Sequence, residues 1–141
     1  MRFWDSSAVV PLVCAEEASA QCRAWLRRDP IMLVWALTAT EVVSALNRKR
    51  REGGFDLRSL RVAQGRLKKL EAAWNEVLQL DAVRSQARNL LVEHDLRAAD
   101  ALQLAAALLA REQTGLPLEL VTFDRRLASA ATAVAFTVLT S

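Results

Sequence analysis

Four acidic residues, far apart along the chain, stand at the ends of short apolar runs or near the starts of helical patterns. They are Asp5, Glu41, Asp100 and Asp124. Carboxylates that are brought together repel each other, and a hard divalent cation is their natural counter-charge. Such an ion can lower the pKa of a bound water and neutralise charge on a phosphodiester, as in metal-dependent nucleases. If they meet in space, these acids indicate a Mg²⁺ site, with Mn²⁺ as the second candidate ion.

Each acid also has a purely structural explanation. Asp5 and Asp124 are suited to cap the N-termini of helices. Glu41 fits the acid of a capping box opened by Thr38, and Asp100 fits a first-turn partner of the helix dipole. Asp100 is the hardest to explain in this way, because it lies in an otherwise nearly apolar stretch where an unpaired carboxylate would be costly. Both interpretations therefore stay open at this point.

Other kinds of chemistry lack the residues that they need. His94 is the only histidine and lies near the predicted end of a helix, so a Ser-His-Asp triad is not indicated. The four glycines form neither GxxxxGK[ST] nor GxGxxG. Cys14 and Cys22 have no partners at zinc spacing, which predicts two buried free thiols. A phospho-acceptor role for Asp5 is a weaker alternative, because Ser7 stands where that chemistry typically has a second acid.

The elements that position the acids follow from hydrophobic periodicity and from Gly and Pro breakers. Strands are predicted at 3–5, 31–35, 76–80, 118–123 and 134–139. Helices are predicted from residue 6 to a break near Leu12 caused by Pro11, and over 17–28, 38–53, 56–73, 82–92, 98–113 and 125–131. This alternation predicts an α/β fold with a mainly parallel sheet, and the length predicts one domain over 1–141. Ligands bind at the carboxyl ends of parallel strands, where Asp5 and Asp124 are placed.

Charge is distributed unevenly along the chain. The net charge is +3, yet the segment from Leu46 to Leu70 holds nine basic and two acidic residues, a net +7 that leaves −4 for the rest. The two helices of this segment are predicted to form a basic hairpin that contacts phosphates, with an ordinary solvated helix face as the alternative. No apolar stretch approaches the ~18 residues of a membrane span, and an acid at position 5 does not suit a signal peptide. We expect a cytoplasmic protein.

Four short motifs follow one another along the chain. They are Asp5-Ser6-Ser7-Ala8-Val9-Val10, Thr40-Glu41-Val42-Val43-Ser44-Ala45-Leu46, Leu96-Arg97-Ala98-Ala99-Asp100-Ala101 and Val121-Thr122-Phe123-Asp124. In this order and at these intervals the whole chain resembles the PIN domain family, in particular its VapC-like toxins. The resemblance implies a three-layer α/β/α fold around a five-stranded parallel sheet. It also implies Mg²⁺-dependent endonucleolytic cleavage of RNA by the toxin of a toxin-antitoxin pair.

The resemblance assigns roles to single residues. Asp5 and Asp100 match the principal metal ligands of the family, while Glu41 and Asp124 complete the acidic quartet and position metal or water. Two further positions match hydroxyls that the family often has near the metal, namely Ser6 and Thr122.

The resemblance also implies partners. These are an RNA substrate, a cognate antitoxin whose C-terminal segment occupies a groove near the site, and a second copy in a homodimer. Pro11 departs from the commonest family pattern and is expected to affect how Ser6 and Ser7 face the metal. A non-catalytic RNA-binding or antitoxin-binding module with the same fold is the main alternative.

Overall fold

Five short strands alternate with seven helices in the computed structural model, which describes residues 1–140. The strands are β1 Arg2–Trp4, β2 Met32–Trp35, β3 Asn75–Val77, β4 Glu119–Val121 and β5 Thr137–Leu139. The helices are α1 Ser6–Val13, α2 Ser19–Arg28, α3 Thr38–Arg51, α4 Leu57–Ala73, α5 Leu80–Glu93, α6 Ala98–Thr114 and α7 Arg125–Ala133.

The strands form one parallel sheet in the order β3-β2-β1-β4-β5. This confirms the predicted α/β fold with a five-stranded parallel sheet. The chain leaves the central strand β1 towards β2 and β3, and later returns to its other side to form β4 and β5. The sheet order therefore reverses between β1 and β4, and open α/β sheets bind ligands at the carboxyl edge of such a reversal.

Alternating strand residues enter two separate hydrophobic cores, because successive side chains of a strand point to opposite faces of the sheet. Phe3, Leu33 and Leu120 pack with helices α5, α6 and α7 on one face. Trp4 and Val34 pack with helices α1 to α4 on the other. The protein therefore has the three layers, α/β/α, that the resemblance implied.

Helix α1 connects the central strand to the rest of the second core. The carboxylate of Asp5 accepts a hydrogen bond from the backbone N–H of Ser7 (3.3 Å) and so caps the helix. Pro11 lies inside the helix and has no N–H to donate to the carbonyl of Ser7. The helix ends at Val13 after eight residues, which confirms the prediction of a short first helix.

The predicted capping box at the start of α3 is wrong. Leu37 occupies the N-cap position and Thr38 is already the first helical residue. The hydroxyl of Thr38 accepts a hydrogen bond from the backbone N–H of Trp35 (3.2 Å), so it stabilises the turn that follows β2. Glu41, one turn into the helix, bonds to side chains of other elements instead of returning to the N-cap.

Four strands are shorter than predicted, β2 by one residue and the other three by two or more. Strand β3 ends at Val77, and Leu78 beyond it is 65% exposed. Strand β5 begins only at Thr137, because Ala135 adopts a positive φ of 65° that interrupts the extended chain. Strand β4 ends at Val121, three residues before Asp124, where side-chain hydrogen bonds replace the sheet pairing.

Candidate active site

The four acids predicted from the sequence lie at the carboxyl edge of the sheet, around the reversal between β1 and β4. Asp5 directly follows β1, and Asp124 precedes α7. Glu41 is the fourth residue of α3, and Asp100 is the third residue of α6. Their charges influence one another: Asp124 acts on both Asp5 and Asp100, and Asp5 and Asp100 both act on Glu41. The structure therefore brings the four together.

Asp5 is held by hydroxyl groups from two elements. Its Oδ2 atom accepts hydrogen bonds from Ser7 Oγ (2.5 Å) and Thr122 Oγ1 (2.9 Å). Both hydroxyls are fixed in turn by the backbone after β4. Ser7 Oγ accepts from the N–H of Phe123 (2.9 Å), and Thr122 Oγ1 accepts from the N–H of Asp124 (3.1 Å). The 2% exposed carboxylate of Asp5 thus has a fixed orientation.

Glu41 is connected both to the start of α1 and to α6. Its Oε2 accepts from Ser6 Oγ at 3.1 Å, and the same hydroxyl lies 3.5 Å from Asp5 Oδ1. Its Oε1 accepts from Gln103 Nε2 at 3.0 Å. Gln103 is fully buried, and its Nε2 also donates to Thr38 Oγ1 at 3.1 Å. A chain of polar groups therefore links β2, α3 and α6 beneath the site.

Asp124 and Asp100 complete the cluster in different ways. Asp124 Oδ1 accepts a hydrogen bond from the N–H of Leu127 (2.8 Å) and so caps α7. Asp100 is half-buried in the first turn of α6, one turn before Gln103 on the same side of the helix. The capping roles proposed for Asp5 and Asp124 are therefore correct, and both residues belong to the cluster as well.

The electrostatic environment disfavours negative charge on three of these carboxylates. Burial is the largest cause in each case. It raises the pKa of Asp5 above its ordinary range, although the hydrogen bonds from Ser7 and Thr122 oppose the effect. Burial, together with Asp5 and Asp100, raises the pKa of Glu41 to about 7. Burial and the charges of Asp124 and Asp5 raise the pKa of Asp100 to about 6.

None of the four acids forms an ion pair with a basic side chain within residues 1–140, although the charge of Arg97 favours the ionised form of Asp100. The five ion pairs between side chains or termini within residues 1–140 involve other acids. These other acids are Asp29, Glu119, Glu16, Asp81 and Asp95. An external cation is therefore the group that would relieve the repulsion among the four carboxylates.

The donors at the site are carboxylate and hydroxyl oxygens, which suit Mg²⁺ or Mn²⁺. Among residues 1–140, no group of three or more His, Cys, Asp or Glu side chains is close enough to hold an ion by itself. A hydrated Mg²⁺ ion needs only one or two carboxylates, because it typically keeps several waters and is completed by substrate phosphates. The residues therefore fit a hydrated ion that is completed by substrate.

Gln103 was not proposed from the sequence, and Ser7 was expected only to face the metal, not to bond to Asp5. Ser7 orients Asp5, and Gln103 orients Glu41. The sequence did contain a signal for Gln103. It is the single amide in the apolar run around Asp100, and it lies three positions after that acid. The signal for Ser7 was its position, since it is the second hydroxyl residue after the acid at the end of a strand.

The prediction of two buried free thiols has a mixed outcome. Cys22 is a buried free thiol as predicted, whereas Cys14 is free but only partly buried, because it follows the end of α1. Within the described part of the chain, no helix is both long and apolar enough to cross a membrane.

A sequence comparison matches residues 2–133 to the PIN domain family. No curated protein gives a significant match. Among solved structures, PAE2754 from Pyrobaculum aerophilum is 25% identical, with a TM-score of 0.64; the match covers 99% of this chain and 82% of that one.

Two further structures share the fold at lower identity. A toxin-antitoxin complex from Klebsiella pneumoniae is similar at 18% identity, a TM-score of 0.66 and coverage of 99% and 96%. VapC20 from Mycobacterium tuberculosis, described as a toxin that cleaves the sarcin-ricin loop, is similar at 20% identity, a TM-score of 0.65 and coverage of 96% for both chains.

Proposed function

This chain belongs to the PIN domain family, and we propose that it is a metal-dependent endoribonuclease that acts as the toxin of a toxin-antitoxin pair. One observation carries the proposal. Four carboxylates lie at the reversal of the sheet, where Ser6 Oγ bridges Asp5 and Glu41, and none of the four forms an ion pair with a basic side chain within residues 1–140. Burial and the neighbouring charges raise the pKa values of three of them. A purely structural cluster of this kind would be unfavourable, whereas a cation site requires it.

Asp5 and Asp100 are the proposed ligands of the ion, which is Mg²⁺ or, as an alternative, Mn²⁺. When bound, such an ion lowers the pKa of a water and neutralises developing charge on the phosphodiester. Ser7 and Thr122 hold the carboxylate of Asp5 in one orientation through their hydrogen bonds to Oδ2. Asp124 contributes negative charge beside both proposed ligands.

Glu41 is the proposed group that positions the attacking water. Its pKa of about 7 allows its carboxylate to exchange a proton at neutral pH, where an effective general base is poised. Gln103 fixes one oxygen of Glu41, and Ser6 donates to the other. Ser6 is thus assigned the role of a positioning residue between Asp5 and Glu41.

RNA is the proposed substrate. The helices α3 and α4, which form the predicted basic hairpin, pack against each other. Eight of the nine basic side chains between Leu46 and Leu70 have no carboxylate partner among residues 1–140, since Lys49 alone pairs with an acid, Glu16. A surface with this excess of cationic side chains attracts the phosphate backbone, and a subset of them makes the direct contacts. The fold shared with VapC20, which cleaves the sarcin-ricin loop, supports the same substrate class.

The proposed partners are a cognate antitoxin and a second copy of the chain. The structural likeness to a toxin-antitoxin complex supports the antitoxin. We further propose that residues 1–141 act as a single nuclease domain in the cytoplasm, where RNA substrates are available.

The direct test is cleavage of total RNA by purified protein, with Mg²⁺ or with EDTA, followed by sequencing of the 5′ ends. Asp5→Asn and Asp100→Asn are expected to abolish cleavage while leaving the far-UV circular dichroism spectrum unchanged. Asp81→Asn is the matched control, because Asp81 also lies in the first turn of a helix but its side chain is 97% exposed. Cleavage at the wild-type rate by both site variants would show the assignment to be wrong.

The non-catalytic alternative makes a different prediction. A protein that uses the cluster only for helix capping gains no thermal stability from millimolar Mg²⁺, whereas a binding site gains RT ln(1 + [L]/Kd). The phospho-acceptor alternative is disfavoured, because Asp5 is 2% exposed and its Oδ2 already accepts two hydroxyl donors.

A further inference from the structure

A second concave surface lies between the end of α1 and the turn of the basic hairpin. It is a pocket of about 370 Å³, which we call the basic pocket. It is lined by Lys49, Arg58, Ser59 and Arg66 together with apolar residues that include Val13, Phe55 and Val62, and by Cys14. None of the four acids of the candidate active site lines it.

The basic pocket is lined by three cationic side chains and by no carboxylate. Lys49 is partly neutralised, since its Nζ donates to Glu16 Oε1 at 3.1 Å. Arg66 donates from Nη1 to the carbonyl of Val13 (3.4 Å), which keeps its guanidinium close to the end of α1. Arg58 is exposed and has no acidic partner within residues 1–140. Two guanidinium groups therefore keep donors for an anion.

Two acidic side chains lie near the basic pocket, and each already accepts a hydrogen bond from another group. Asp56, which caps α4, accepts the backbone N–H of Ser59 at 2.8 Å. Glu16 is occupied by Lys49. The pocket thus offers a net positive surface to a ligand that enters from solvent.

A groove connects the basic pocket to the candidate active site. A neighbouring depression is lined by Ser7 and Gly54, by the basic residues Arg48 and Lys49, and by the acidic residues Glu16 and Glu52. It shares Ser7 with the active site, where this residue bonds to Asp5, and it shares Lys49 and Gly54 with the basic pocket. From Ser7 to Cys14 the chain follows α1, and at the rise of an α-helix these seven steps span roughly 10 Å.

The surface on the other side of Ser7 is more acidic than the groove. The depression there is lined by Pro11, Glu16, Glu17 and Phe123, among others, and by no basic residue. The two basic and two acidic residues of the groove balance each other, whereas this side carries acids alone, so a polyanion is repelled more strongly here than on the side of the basic pocket.

We propose that the basic pocket binds a backbone phosphate of the RNA strand whose scissile bond lies at the acidic cluster. This inference rests on the proposed ribonuclease function. Guanidinium groups bind phosphate through paired hydrogen bonds, so Arg58 and Arg66 are the principal contacts and Lys49 adds charge. The pocket thereby fixes the direction in which the strand leaves the site. A phosphate is favoured over an acidic protein segment because the groove leads to the site where a phosphodiester is to be cleaved.

The test compares two double variants of α4. Arg58→Gln with Arg66→Gln removes the guanidinium pair of the basic pocket. Arg61→Gln with Lys68→Gln is the matched control, because these residues line a different depression and remove the same charge from the same helix. Binding of a fluorescein-labelled, 20-nucleotide, mixed-sequence single-stranded RNA is measured by anisotropy in EDTA at several KCl concentrations.

The pocket variant is expected to bind RNA about tenfold more weakly at moderate salt. The slope of log K against log [KCl] is expected to fall by about 0.7, the value for one phosphate of a single strand. The control is expected to change affinity by less than about twofold and to keep the slope. Equal losses in both variants overturn the inference, because they indicate a diffuse basic surface. A larger effect of the pocket variant on binding of a poly-glutamate peptide than on RNA overturns it as well.

A second measurement uses the unmodified protein and does not depend on the folding of a variant. Cys14 is partly exposed and lines the basic pocket, whereas Cys22 is buried. Bound RNA is expected to slow alkylation of Cys14 by iodoacetamide at least fivefold relative to protein without RNA, while Cys22 stays unreactive. An unchanged rate for Cys14 at saturating RNA overturns the inference.

The two proposals fail in different ways. If Asp100→Asn loses cleavage and the pocket variant binds RNA as the wild-type protein does, only the proposal for the basic pocket is refuted. Wild-type cleavage by Asp100→Asn refutes the proposed active site. A protein that binds no RNA refutes both.

Discussion

Replacing Asp100 by Asn is expected to stabilise the protein in the absence of metal while abolishing its activity. Asp100 is half-buried, and the charges of Asp124 and Asp5 disfavour its ionised form. An asparagine has nearly the same shape and no charge, so it relieves this repulsion. The same substitution removes a proposed ligand of the ion.

The magnitude follows from the raised pKa. A pKa of about 6, against an ordinary value of 3.8 for Asp100, corresponds to ~3 kcal/mol that opposes folding at pH 8. Because solvent screens a half-buried side chain, we reduce this to ~1–2 kcal/mol. Losing the interaction with the helix dipole lowers this gain in stability by ~0.3–1 kcal/mol. A net gain of ~1 kcal/mol raises Tm by roughly 3 °C for a domain of this size.

The size of this stabilisation depends on pH. The pKa of Asp100 is raised in the folded state, so its contribution to stability is fully present below pH 3.8 and is lost as pH rises through about 6. The advantage of the Asp100→Asn variant over the wild-type protein is therefore largest at pH 8 and declines towards pH 4.

The assay is thermal unfolding followed by circular dichroism in EDTA at pH 4, 6 and 8, and again at pH 8 with 10 mM Mg²⁺. Asp81→Asn is the control, since removing the charge of this exposed first-turn acid is expected to lower Tm at pH 8 through the helix dipole. If Asp100→Asn lowers Tm at pH 8 as the control does, Asp100 is a partner of the helix dipole and the electrostatic argument is refuted.

Three further predictions concern the surroundings of the cluster. Stabilisation by Mg²⁺ is expected to grow between pH 5.5 and 8 in thermal-shift experiments, because Asp100 and Glu41, with pKa values of about 6 and 7, must lose their protons before the cluster binds an ion fully. Thr122→Val is expected to cost ~1–3 kcal/mol in urea unfolding, because it leaves buried hydrogen-bonding partners unsatisfied. Gln103→Leu is expected to lower kcat at least tenfold with little change in KM, because it releases the oxygen of Glu41 that positions water.

Each of these has a control and an opposing outcome. Stabilisation by Mg²⁺ that does not depend on pH contradicts the first. Thr132→Val is the control for the second, since its hydroxyl bonds only within an exposed helix, and equal costs for both variants contradict the role of Thr122. Gln113→Leu, on the exposed end of α6, is the control for the third, and unchanged kcat in Gln103→Leu contradicts the role of Gln103.

Much of the site could be found from local patterns. Asp5 and Asp124 follow apolar runs that become parallel strands, and the carboxyl ends of parallel strands share one edge of the sheet. Asp100 was conspicuous because a carboxylate in an apolar helix needs a compensating interaction. Gln103 carried the same signal as a buried amide, yet its partners lie on other elements and leave no mark in the adjacent sequence.

Local sequence was sufficient to establish the type and order of the elements, because the spacing of apolar residues follows the period of a helix or a strand within a few positions. It was also sufficient for the uneven charge that separates the basic hairpin from the rest of the chain. These properties depend on neighbours in the chain, so they can be read from short segments.

Tertiary packing was needed to place β1 between β2 and β4, which makes the edge beside Asp5 the point where the sheet order reverses. It also replaced the expected capping box of Glu41 by bonds to Ser6 and Gln103. Strand order and contacts between elements depend on packing across two hydrophobic cores, and residues far apart in sequence contribute to both. The local pattern around Glu41 is compatible with either set of partners, and the burial of α6 against the sheet selects between them.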